Sequence, residues 1–287
     1  MMMRAAIDIG STSTNLLICG PGEARAWFGD VTRLADGDPE PTLLTLRRYR
    51  SMLDDRGISV ARVVATAAAR SHPDPGALVD ALADAVGRPV EILDAVSEGR
   101  YSFLGAVAGL DLDADGQTLV VDIGGGSTEF ALGDKTLSLA LGAAVLTTEE
   151  FANDPPRPEE LTNALGRVAD ELDELVREHP QLAKAERVVG VAGTLVVTAA
   201  VEIGALDPAR IHGFVLSRDA VEDVFRTLAT EPLRDRVHNP GLPADRAPLI
   251  VGGLCVLVAI MRKLQLGSVI VSMHGLLDGL IADLSTT

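Results

Sequence analysis

One seven-residue pattern occurs twice in this chain. The first copy is Asp8-Ile-Gly-Ser-Thr-Ser-Thr14, the second is Asp122-Ile-Gly-Gly-Gly-Ser-Thr128, and five of the seven positions are identical. Apolar runs flank both copies: Ala5–Ile7, Leu16–Ile18, Leu119–Val121 and Phe130–Leu132. Each copy therefore predicts a strand, a polar turn and a second strand. Two matching turns 114 residues apart predict two similar subdomains that face each other across a phosphate-sized gap.

The second copy differs from the first by its three consecutive glycines, which have no side chains. Glycine allows positive φ and lets backbone amides approach a ligand closely, which suits a phosphate-binding turn at the solvent-facing tip of a hairpin. A plain hairpin turn with no ligand is the alternative. Neither copy continues into the Gly-Lys-Ser or Gly-Lys-Thr of a P-loop. The candidate phosphate contacts in the two turns are Ser11, Thr12, Ser13, Gly124, Gly125, Gly126 and Ser127.

Composition restricts the partners. With 25 basic and 41 acidic residues the chain carries a net charge of −16, which disfavours attraction to nucleic acid or to an anionic membrane. An aromatic content of 3% argues against base-stacking platforms for single-stranded nucleic acid. A polyanionic substrate then has to be met by local arginines, backbone amides and a divalent metal.

Cysteine usage and hydropathy indicate a cytoplasmic protein. Cys19 and Cys255 lie in apolar runs far apart, with no disulfide framework or metal-ligand spacing. The N-terminus lacks the pattern of a signal peptide. The apolar segment 247–261 is shorter than the roughly 20 residues of a membrane-spanning helix, so we expect a buried helix there.

Strands and helices alternate along the chain, which predicts an α/β fold. We expect helices over 42–56, 76–86 and 158–177, strands over 60–67, 89–93, 137–141 and 187–191, and a helix from about Ser97. The polar stretch 111–116 is the expected linker. The predicted division is residues 1–115 for the first subdomain, completed by a C-terminal helix at 275–287, and residues 116–274 for the second.

Four further residues are candidates for binding. Asp8 and Asp122 end equivalent strands, where a carboxylate holds Mg²⁺ or else stabilises an Asx turn. Gly193 and Thr194 precede an apolar helix over 195–201, so this turn either points free amides at an anion or contains a threonine N-cap.

With these motifs in place, the chain resembles the exopolyphosphatase and guanosine-pentaphosphate phosphohydrolase family, within the actin, hexokinase and sugar-kinase fold group with its ribonuclease H-like subdomains. The matching segments extend from Ala5 to about Gly279. They are the two turns, Arg33-Leu-Ala-Asp-Gly37, Ala65-Thr-Ala-Ala-Ala-Arg70, Ser97-Glu-Gly-Arg-Tyr101, Gly190-Val-Ala-Gly-Thr194 and Ile211-His-Gly213.

The resemblance implies hydrolysis of a terminal phosphoanhydride bond, with Glu98 as the general base. It implies Mg²⁺ or Mn²⁺ held by Asp8, Asp122 and Glu129, and phosphate contacts from Arg33 and Arg70. The implied substrate is inorganic polyphosphate, with short chains preferred because the chain stops at Thr287, without the helical His-Asp-type domain of longer relatives. A homodimer is also compatible with the resemblance.

Two departures from the family pattern keep other functions open. Thr12 replaces a frequent asparagine, and Met273-His-Gly-Leu-Leu-Asp278 replaces Asp-Gly-Gly-Leu-Arg-Glu. The alternatives are removal of the 5′ γ-phosphate from guanosine pentaphosphate, or a low-turnover sensor of phosphate or nucleotide.

Overall fold

The chain forms two compact units. A computed structural model describes residues 3–20, 25–58, 60–108, 110, 112, 118–133 and 135–284. The first unit contains the residues up to Gly105 and those from Gly275 onward, and the second contains Ala106–His274. This division precedes the boundary expected at 115/116. Of the expected linker 111–116, only Leu112 lies within the described residues.

The first unit is built on a five-stranded mixed sheet. Its strands are β1 (Arg4–Ile9), β2 (Ser13–Cys19), β3 (Arg25–Val31), β4 (Val60–Ala65) and β5 (Glu91–Ile92). The strand order is β3-β2-β1-β4-β5. β1, β2 and β3 pair antiparallel, while β4 pairs parallel with both β1 and β5. The carboxyl ends of β1 and β4 therefore lie side by side.

Helices cover both faces of this sheet. They are α1 (Glu40–Asp55), α2 (Ala67–Arg70), α3 (Pro75–Val86), α4 (Ala95–Ala108), which crosses the division between the units, and α12 (Leu276–Asp283), with a 3-10 turn at Leu34–Asp36. On one face, Leu46, Tyr49 and Leu53 of α1 form a core with Ile7 and Leu16 of the sheet. On the other face, α12 packs on β1 and β2 through a smaller apolar cluster that contains Ala6, Leu17, Leu277 and Leu280.

The second unit repeats this plan with a six-stranded sheet. Its strands are β6 (Thr118–Ile123), β7 (Thr128–Leu132), β8 (Lys135–Leu139), β9 (Arg187–Val191), β10 (Phe214–Ser217) and β11 (Ser268–Val271). The order is β10-β11-β9-β6-β7-β8, with β6, β7 and β8 antiparallel and β9 parallel to β6. The equivalence of β1–β4 with β6–β9 confirms the predicted α/β fold with two similar subdomains.

The helices of the second unit surround one large apolar core. They are α5 (Ala143–Glu150), α6 (Pro158–Glu178), α7 (Ala192–Ile203), α8 (Pro208–Ile211), α9 (Arg218–Thr230), α10 (Leu233–Arg236) and α11 (Ile250–Lys263), with a 3-10 turn at Pro180–Lys184. Every residue from Ile250 to Met261 is buried, as predicted for this apolar segment. Among the described helices, none has both the length and the hydropathy that a bilayer crossing requires.

Candidate functional site

The turn between β1 and β2 presents unsatisfied polar groups. Its amide at Gly10 donates to the carbonyl of Ser13 at 2.9 Å and closes the turn. Ser11 and Thr12 are each 7% exposed, and within the described residues neither of their amides has a backbone acceptor. The Thr12 hydroxyl is buried and also lacks a hydrogen-bond partner there. Donors without a protein acceptor at a tight turn are available to an anion such as a phosphate.

Arg33 is fixed beside this turn by its backbone. The amides of Thr32 and Arg33 both donate to the Thr12 carbonyl, at 2.9 and 3.0 Å. Arg33 has φ 50°, in the left-handed region that costs free energy for any residue except glycine. Its side chain is exposed, and in the part of the chain described here its guanidinium has no hydrogen bond or ion pair. The strained backbone thus fixes Arg33 next to the first turn, with its guanidinium unpaired among the described residues.

Asp8 is paired across the strands with Asn15. The Asn15 amide nitrogen donates to Asp8 Oδ2 at 3.4 Å and to Ser13 Oγ at 3.2 Å. Asn15 therefore links the candidate metal ligand to the candidate phosphate contact. The sequence repeat could have identified Asn15, because Asn15 and Glu129 directly follow the two copies at equivalent positions.

Arg70 and Glu98 form an ion pair at the carboxyl edge of the first sheet. Nη1 of Arg70 lies 2.6 Å from Glu98 Oε2 and 2.8 Å from the Leu93 carbonyl oxygen. Arg70 ends α2, which begins just after Thr66, whose amide donates to the carbonyl of Ile9 at the end of β1. Arg70 is a predicted phosphate contact, and the structure shows it paired with the candidate base.

Glu98 lies in the first turn of α4, as expected, and is 9% exposed. Asp94 caps this helix through a 2.7 Å hydrogen bond from the Ser97 amide, which lowers the pKa of the Asp94 carboxyl. The carboxylate of Glu98 is therefore held from two sides, by a capped helix and by a guanidinium.

The turn between β6 and β7 closes in the same way as the first one. The Gly124 amide donates to the Ser127 carbonyl at 3.0 Å, and the amides of Gly125 and Gly126 have no backbone acceptor among the residues that the structure covers. Both turns therefore leave two consecutive amides available to an anion. The observation favours the phosphate-binding interpretation over a plain hairpin.

The expected reasons for the three glycines need correction. Gly124 to Gly126 are not among the glycines with positive φ. The turn is also not a free, solvent-facing tip, because the Gly124 and Gly125 carbonyls accept from the first amides of α5 at 2.9–3.2 Å. A Cβ on Gly142 would lie 2.6 Å from the Gly125 carbonyl carbon. The close backbone contact between the turn and α5 thus requires a glycine at position 142.

Asp122 and Glu129 lie directly opposite each other on β6 and β7. Glu129 is only 3% exposed and accepts a 3.0 Å hydrogen bond from the Ser138 hydroxyl. Like charges directly opposite in a sheet are destabilising, and a divalent cation removes that repulsion, so the donor set fits Mg²⁺ or Mn²⁺. Over the described ranges, no group of three or more His, Cys, Asp or Glu side chains is arranged to hold a metal by itself.

The start of α7 differs from the expected turn. Gly193 and Thr194 do not precede the helix but lie in its first turn, because α7 begins at Ala192. Thr194 is not the N-cap: that position is Val191, and the Thr194 hydroxyl donates to the Ile123 carbonyl at 3.4 Å. The amides at the start of α7 are still expected to be available to an anion, because the first four amides of any helix lack helical acceptors. Ala192 has φ 67°, a second strained residue beside a candidate anion site.

Arg246 is a candidate that the sequence did not reveal. A Cβ on Gly193 would lie 3.2 Å from Arg246 Nη1, which places the guanidinium against the start of α7. Burial lowers the pKa of Arg246, with the Asp245 charge opposing that effect. Its side chain has no hydrogen bond or ion pair in the described chain. A lone arginine in the loop 239–248 has no sequence pattern that distinguishes it from a solvated one.

The predicted residues thus gather in one region of each unit. In the first unit they surround the carboxyl ends of β1 and β4, and in the second the carboxyl ends of β6 and β9. Ligands of open α/β sheets bind at such ends.

Comparisons of sequence and of structure with known proteins agree on one family. Residues 30–287 match the model of the Ppx/GppA phosphatase family. The chain is 31% identical to exopolyphosphatase 2 of Mycobacterium tuberculosis over 98% of both chains. It is 24% identical to a guanosine-5′-triphosphate,3′-diphosphate pyrophosphatase of Vibrio cholerae over 98% of this chain and 59% of the relative. The crystal structure of the Aquifex aeolicus Ppx/GppA family member superposes with a TM-score of 0.79 at 28% identity, over 99% of this chain and 98% of that one.

Proposed function

The chain belongs to the Ppx/GppA phosphatase family, and on that premise we propose that it releases orthophosphate from the ends of inorganic polyphosphate by metal-dependent hydrolysis. The similarity to an exopolyphosphatase along its whole length supports this substrate. We also propose that the protein prefers short polyphosphate chains.

One observation carries the proposal: the two turns close with the same hydrogen bond and leave the same pair of amides unsatisfied. Amides at a tight turn form an anion-binding concavity that is selective for oxyanions rather than for a particular base or sugar. A chain of net charge −16 gains such contacts only where the backbone or arginines supply positive charge. We assign Ser11, Thr12, Gly125, Gly126 and Ser127 to phosphate oxygens.

Glu98 is the proposed general base. Its carboxylate orients a water molecule toward the terminal phosphorus and accepts that proton as the bond to the bridging oxygen breaks. Phosphoryl transfer of this kind has a loose transition state, so positioning and charge neutralisation supply most of the rate enhancement. Arg70 holds Glu98 through Nη1 and keeps its remaining N–H groups for a phosphoryl oxygen.

The cationic groups divide between the two units. In the described parts of the chain, Arg33 beside the first turn and Arg246 at the start of α7 have side chains without hydrogen bonds or ion pairs. Forked guanidinium donors match the geometry of phosphate oxygens. We propose that both neutralise substrate charge.

A divalent metal completes the proposal. Asp122 and Glu129 of the second unit would hold it, and Asp8 is the candidate carboxylate of the first unit. When bound, Mg²⁺ or Mn²⁺ neutralises phosphate charge and stabilises the leaving oxygen. The roles proposed above for Glu98 and the arginines are the same with the metal bound.

Removal of the γ-phosphate from guanosine pentaphosphate is the second candidate. It is favoured by the similarity to the Vibrio cholerae pyrophosphatase. The third candidate, a sensor with little turnover, was based on the altered segment Met273–Asp278. There, Leu277 is buried in the apolar cluster under α12, and Asp278 pairs with Arg25 at 2.6 Å and caps α12. These two replacements have structural roles within the first unit.

The remaining partners also belong to the proposal. We propose that the protein acts in the cytoplasm, where thiols such as those of Cys19 and Cys255 stay reduced. Nucleic acid is not an expected ligand at this net charge. A homodimer stays a prediction.

A substrate panel tests the function. Purified protein with Mg²⁺ is incubated with polyphosphates of several lengths, guanosine pentaphosphate and ATP, and free orthophosphate is measured over time. We expect the highest kcat/KM with a polyphosphate. Turnover of guanosine pentaphosphate alone would favour the second candidate, and absence of phosphate release from every substrate would exclude both hydrolases.

A further inference from the structure

Three strands of the second sheet carry a row of polar side chains next to the glycine turn. Asp122 of β6 lies directly opposite Glu129 of β7, and Glu129 lies directly opposite Ser138 of β8, the edge strand. Residues opposite each other in antiparallel strands have Cβ atoms about 5 Å apart, so the three side chains are neighbours on one face of the sheet. Ser138 has no role in the function proposed above.

Ser138 engages one particular oxygen of the Glu129 carboxylate. Its Oγ donates to Glu129 Oε1 at 3.0 Å. Glu129 is 3% exposed, whereas Ser138 is exposed, so the hydroxyl supplies a donor that water can hardly supply to this buried carboxylate. A hydrogen bond to a metal-binding carboxylate fixes the direction of that carboxylate. The bond therefore determines how Glu129 meets a cation.

The equivalent row of the first unit has a different chemistry. Asp8, Asn15 and Gly29 occupy its three positions in the same cross-strand register. The Asn15 amide donates to Asp8 Oδ2 at 3.4 Å. A Cβ on Gly29 would lie 2.8 Å from Asn15 Oδ1, so no side chain fits there unless its neighbours shift. The first row thus joins one carboxylate to a neutral donor, and only the row with two carboxylates carries the hydroxyl.

Divalent cations differ in how they use a carboxylate. Mg²⁺ is small, keeps several of its waters and demands nearly octahedral ligands, whereas Ca²⁺ accepts more oxygens and often takes both oxygens of one carboxylate. Octahedral oxygen ligands also suit Mn²⁺. A cation that contacts both oxygens of Glu129 has to compete with the Ser138 hydroxyl for Oε1, and a cation that needs one oxygen does not.

We propose that Ser138 is a positioning residue that sets the cation preference of the second unit. Its hydrogen bond directs Glu129 to bind through one oxygen and so favours Mg²⁺ or Mn²⁺ over Ca²⁺. The inference rests on the metal site of the proposed function and adds to it the residue that selects the metal. A hydroxyl that only offsets the repulsion between Asp122 and Glu129 would affect all divalent cations alike. The two roles therefore differ in the ratio of two affinities.

Competition between Mn²⁺ and Ca²⁺ tests the proposal without turnover. The full-length protein is titrated with Mn²⁺ while free Mn²⁺ is followed by electron paramagnetic resonance, and Ca²⁺ is then added to displace the bound ion, which gives both dissociation constants. We expect Ser138→Ala to weaken Mn²⁺ binding about tenfold, because loss of a partner of a metal ligand has at least this effect. Ca²⁺ should bind as tightly as before or more tightly, so the preference for Mn²⁺ over Ca²⁺ falls about tenfold or more.

Two further variants serve as controls. Ser138→Thr keeps the hydroxyl on a residue type that strands favour, and it should retain the cation preference of the unmodified protein. Thr136→Ala removes a hydroxyl from the same strand and the same face, but from a position opposite Ala131, which has no carboxylate. This variant should change neither dissociation constant.

Two outcomes of this series contradict the proposal. Equal weakening of Mn²⁺ and Ca²⁺ binding by Ser138→Ala, or no change in either, would leave the hydroxyl without influence on the cation preference. Mn²⁺ binding that Glu129→Gln leaves unchanged would place the ion elsewhere and would overturn the metal site together with the inference. The first outcome leaves the metal site and the proposed hydrolysis intact, so the two failures are told apart.

Discussion

Arg70 has two kinds of partner at the residue scale. Its Nη1 binds Glu98 and the Leu93 carbonyl, and its side chain remains 25% exposed. A guanidinium can keep both contacts and still donate to a third group, because its five N–H groups have fixed directions. An ammonium group has no such fork, so lysine is a poor replacement here.

Replacement of Arg70 should therefore act mainly on kcat. We expect Arg70→Gln to lower kcat by about 10- to 100-fold, the value of a hydrogen bond to a charged group, and Arg70→Lys to lower it less. Steady-state kinetics with polyphosphate measure both parameters. Arg33→Gln is the comparison, and it should raise KM with a smaller change in kcat. A rise in KM alone for Arg70→Gln would make Arg70 a phosphate contact with no influence on Glu98.

Arg246 and Arg236 form a matched pair of arginines in the second unit. Arg236 is 3% exposed and is fully engaged, with hydrogen bonds to the carbonyls of Leu228, Glu231 and Ala247 and an ion pair with Asp154. Arg246 has no such partners among the described residues, and burial lowers its pKa. Arg246 is half-buried, and a partly desolvated charge without a partner adds little stability to a fold and is typical of a ligand site.

The two arginines should respond in opposite directions. Arg246→Met should leave Tm unchanged or raise it and should weaken polyphosphate binding. Arg236→Met should lower the free energy of unfolding by about 3–5 kcal/mol, because the carboxylate of Asp154 and several carbonyls lose their donor. Thermal unfolding and calorimetric titration measure both effects. A drop in Tm for Arg246→Met with normal polyphosphate binding would remove Arg246 from the site.

At the scale of elements, the glycine turn and α5 support each other. The carbonyls of Gly124 and Gly125 accept the first amides of α5, so the turn replaces a side-chain N-cap that Gly142 cannot provide. With its carbonyls directed to the helix, the turn has its amides at Gly125 and Gly126 left for a ligand. The three residues Gly124 to Gly126 thus serve both the helix and the anion site.

A methyl group at position 142 should disturb this arrangement. The Cβ of Gly142→Ala would lie 2.7 Å from the Gly124 carbonyl oxygen, so the turn has to shift. We expect weaker polyphosphate binding with a modest loss of stability, measured by calorimetry and thermal unfolding. Gly166→Ala in α6 is the control, since nothing lies within 4 Å of its Cβ. It should raise stability by about 0.5–1 kcal/mol and leave binding unchanged. Normal binding by a folded Gly142→Ala protein would contradict the role of the turn.

Elements with strong periodicity were predictable from the sequence. The strand at Arg187–Val191 was predicted with its observed bounds, and the long helix Pro158–Glu178 to within one residue. The edge strand β3 was not predicted, because most of its side chains are exposed and show no apolar alternation. α9 was missed although Val221, Val224, Phe225 and Leu228 have clear helical spacing.

The candidate site was predictable where local motifs repeat and not where it depends on tertiary contacts. The two turns are found by comparing the chain with itself. The pairing of Arg70 with Glu98 joins residues 28 positions apart, and no local pattern encodes it. The start of α7 was placed too late because Val191 supplies no side-chain cap that marks the helix N-terminus.

At the scale of the whole molecule, charge determines how a polyanion binds. A chain with net charge −16 repels polyphosphate at long range, and the opposed carboxylates of Asp122 and Glu129 add to this repulsion locally. Divalent metal should therefore be required. Chelator should stop phosphate release, and added Mg²⁺ or Mn²⁺ should restore it.

Metal binding can also be measured without turnover. Titration of Mn²⁺ followed by electron paramagnetic resonance should show weaker binding in Glu129→Gln than in the unmodified protein. Glu159→Gln, an exposed acid on α6, is the control and should bind Mn²⁺ normally. Full activity of metal-free protein in chelator would contradict the assignment of these carboxylates.

The central claim is that Glu98 takes the proton of the attacking water, and the most direct measurement is kcat together with the polyphosphate Kd for Glu98→Gln. The substitution keeps the size of the side chain and removes its basicity. We predict that kcat falls by about 10²–10⁴ while Kd and Tm stay close to those of the unmodified protein. Glu159→Gln, a glutamate in the first turn of another helix, should keep full kcat. A kcat for Glu98→Gln near that of the unmodified protein would contradict the account.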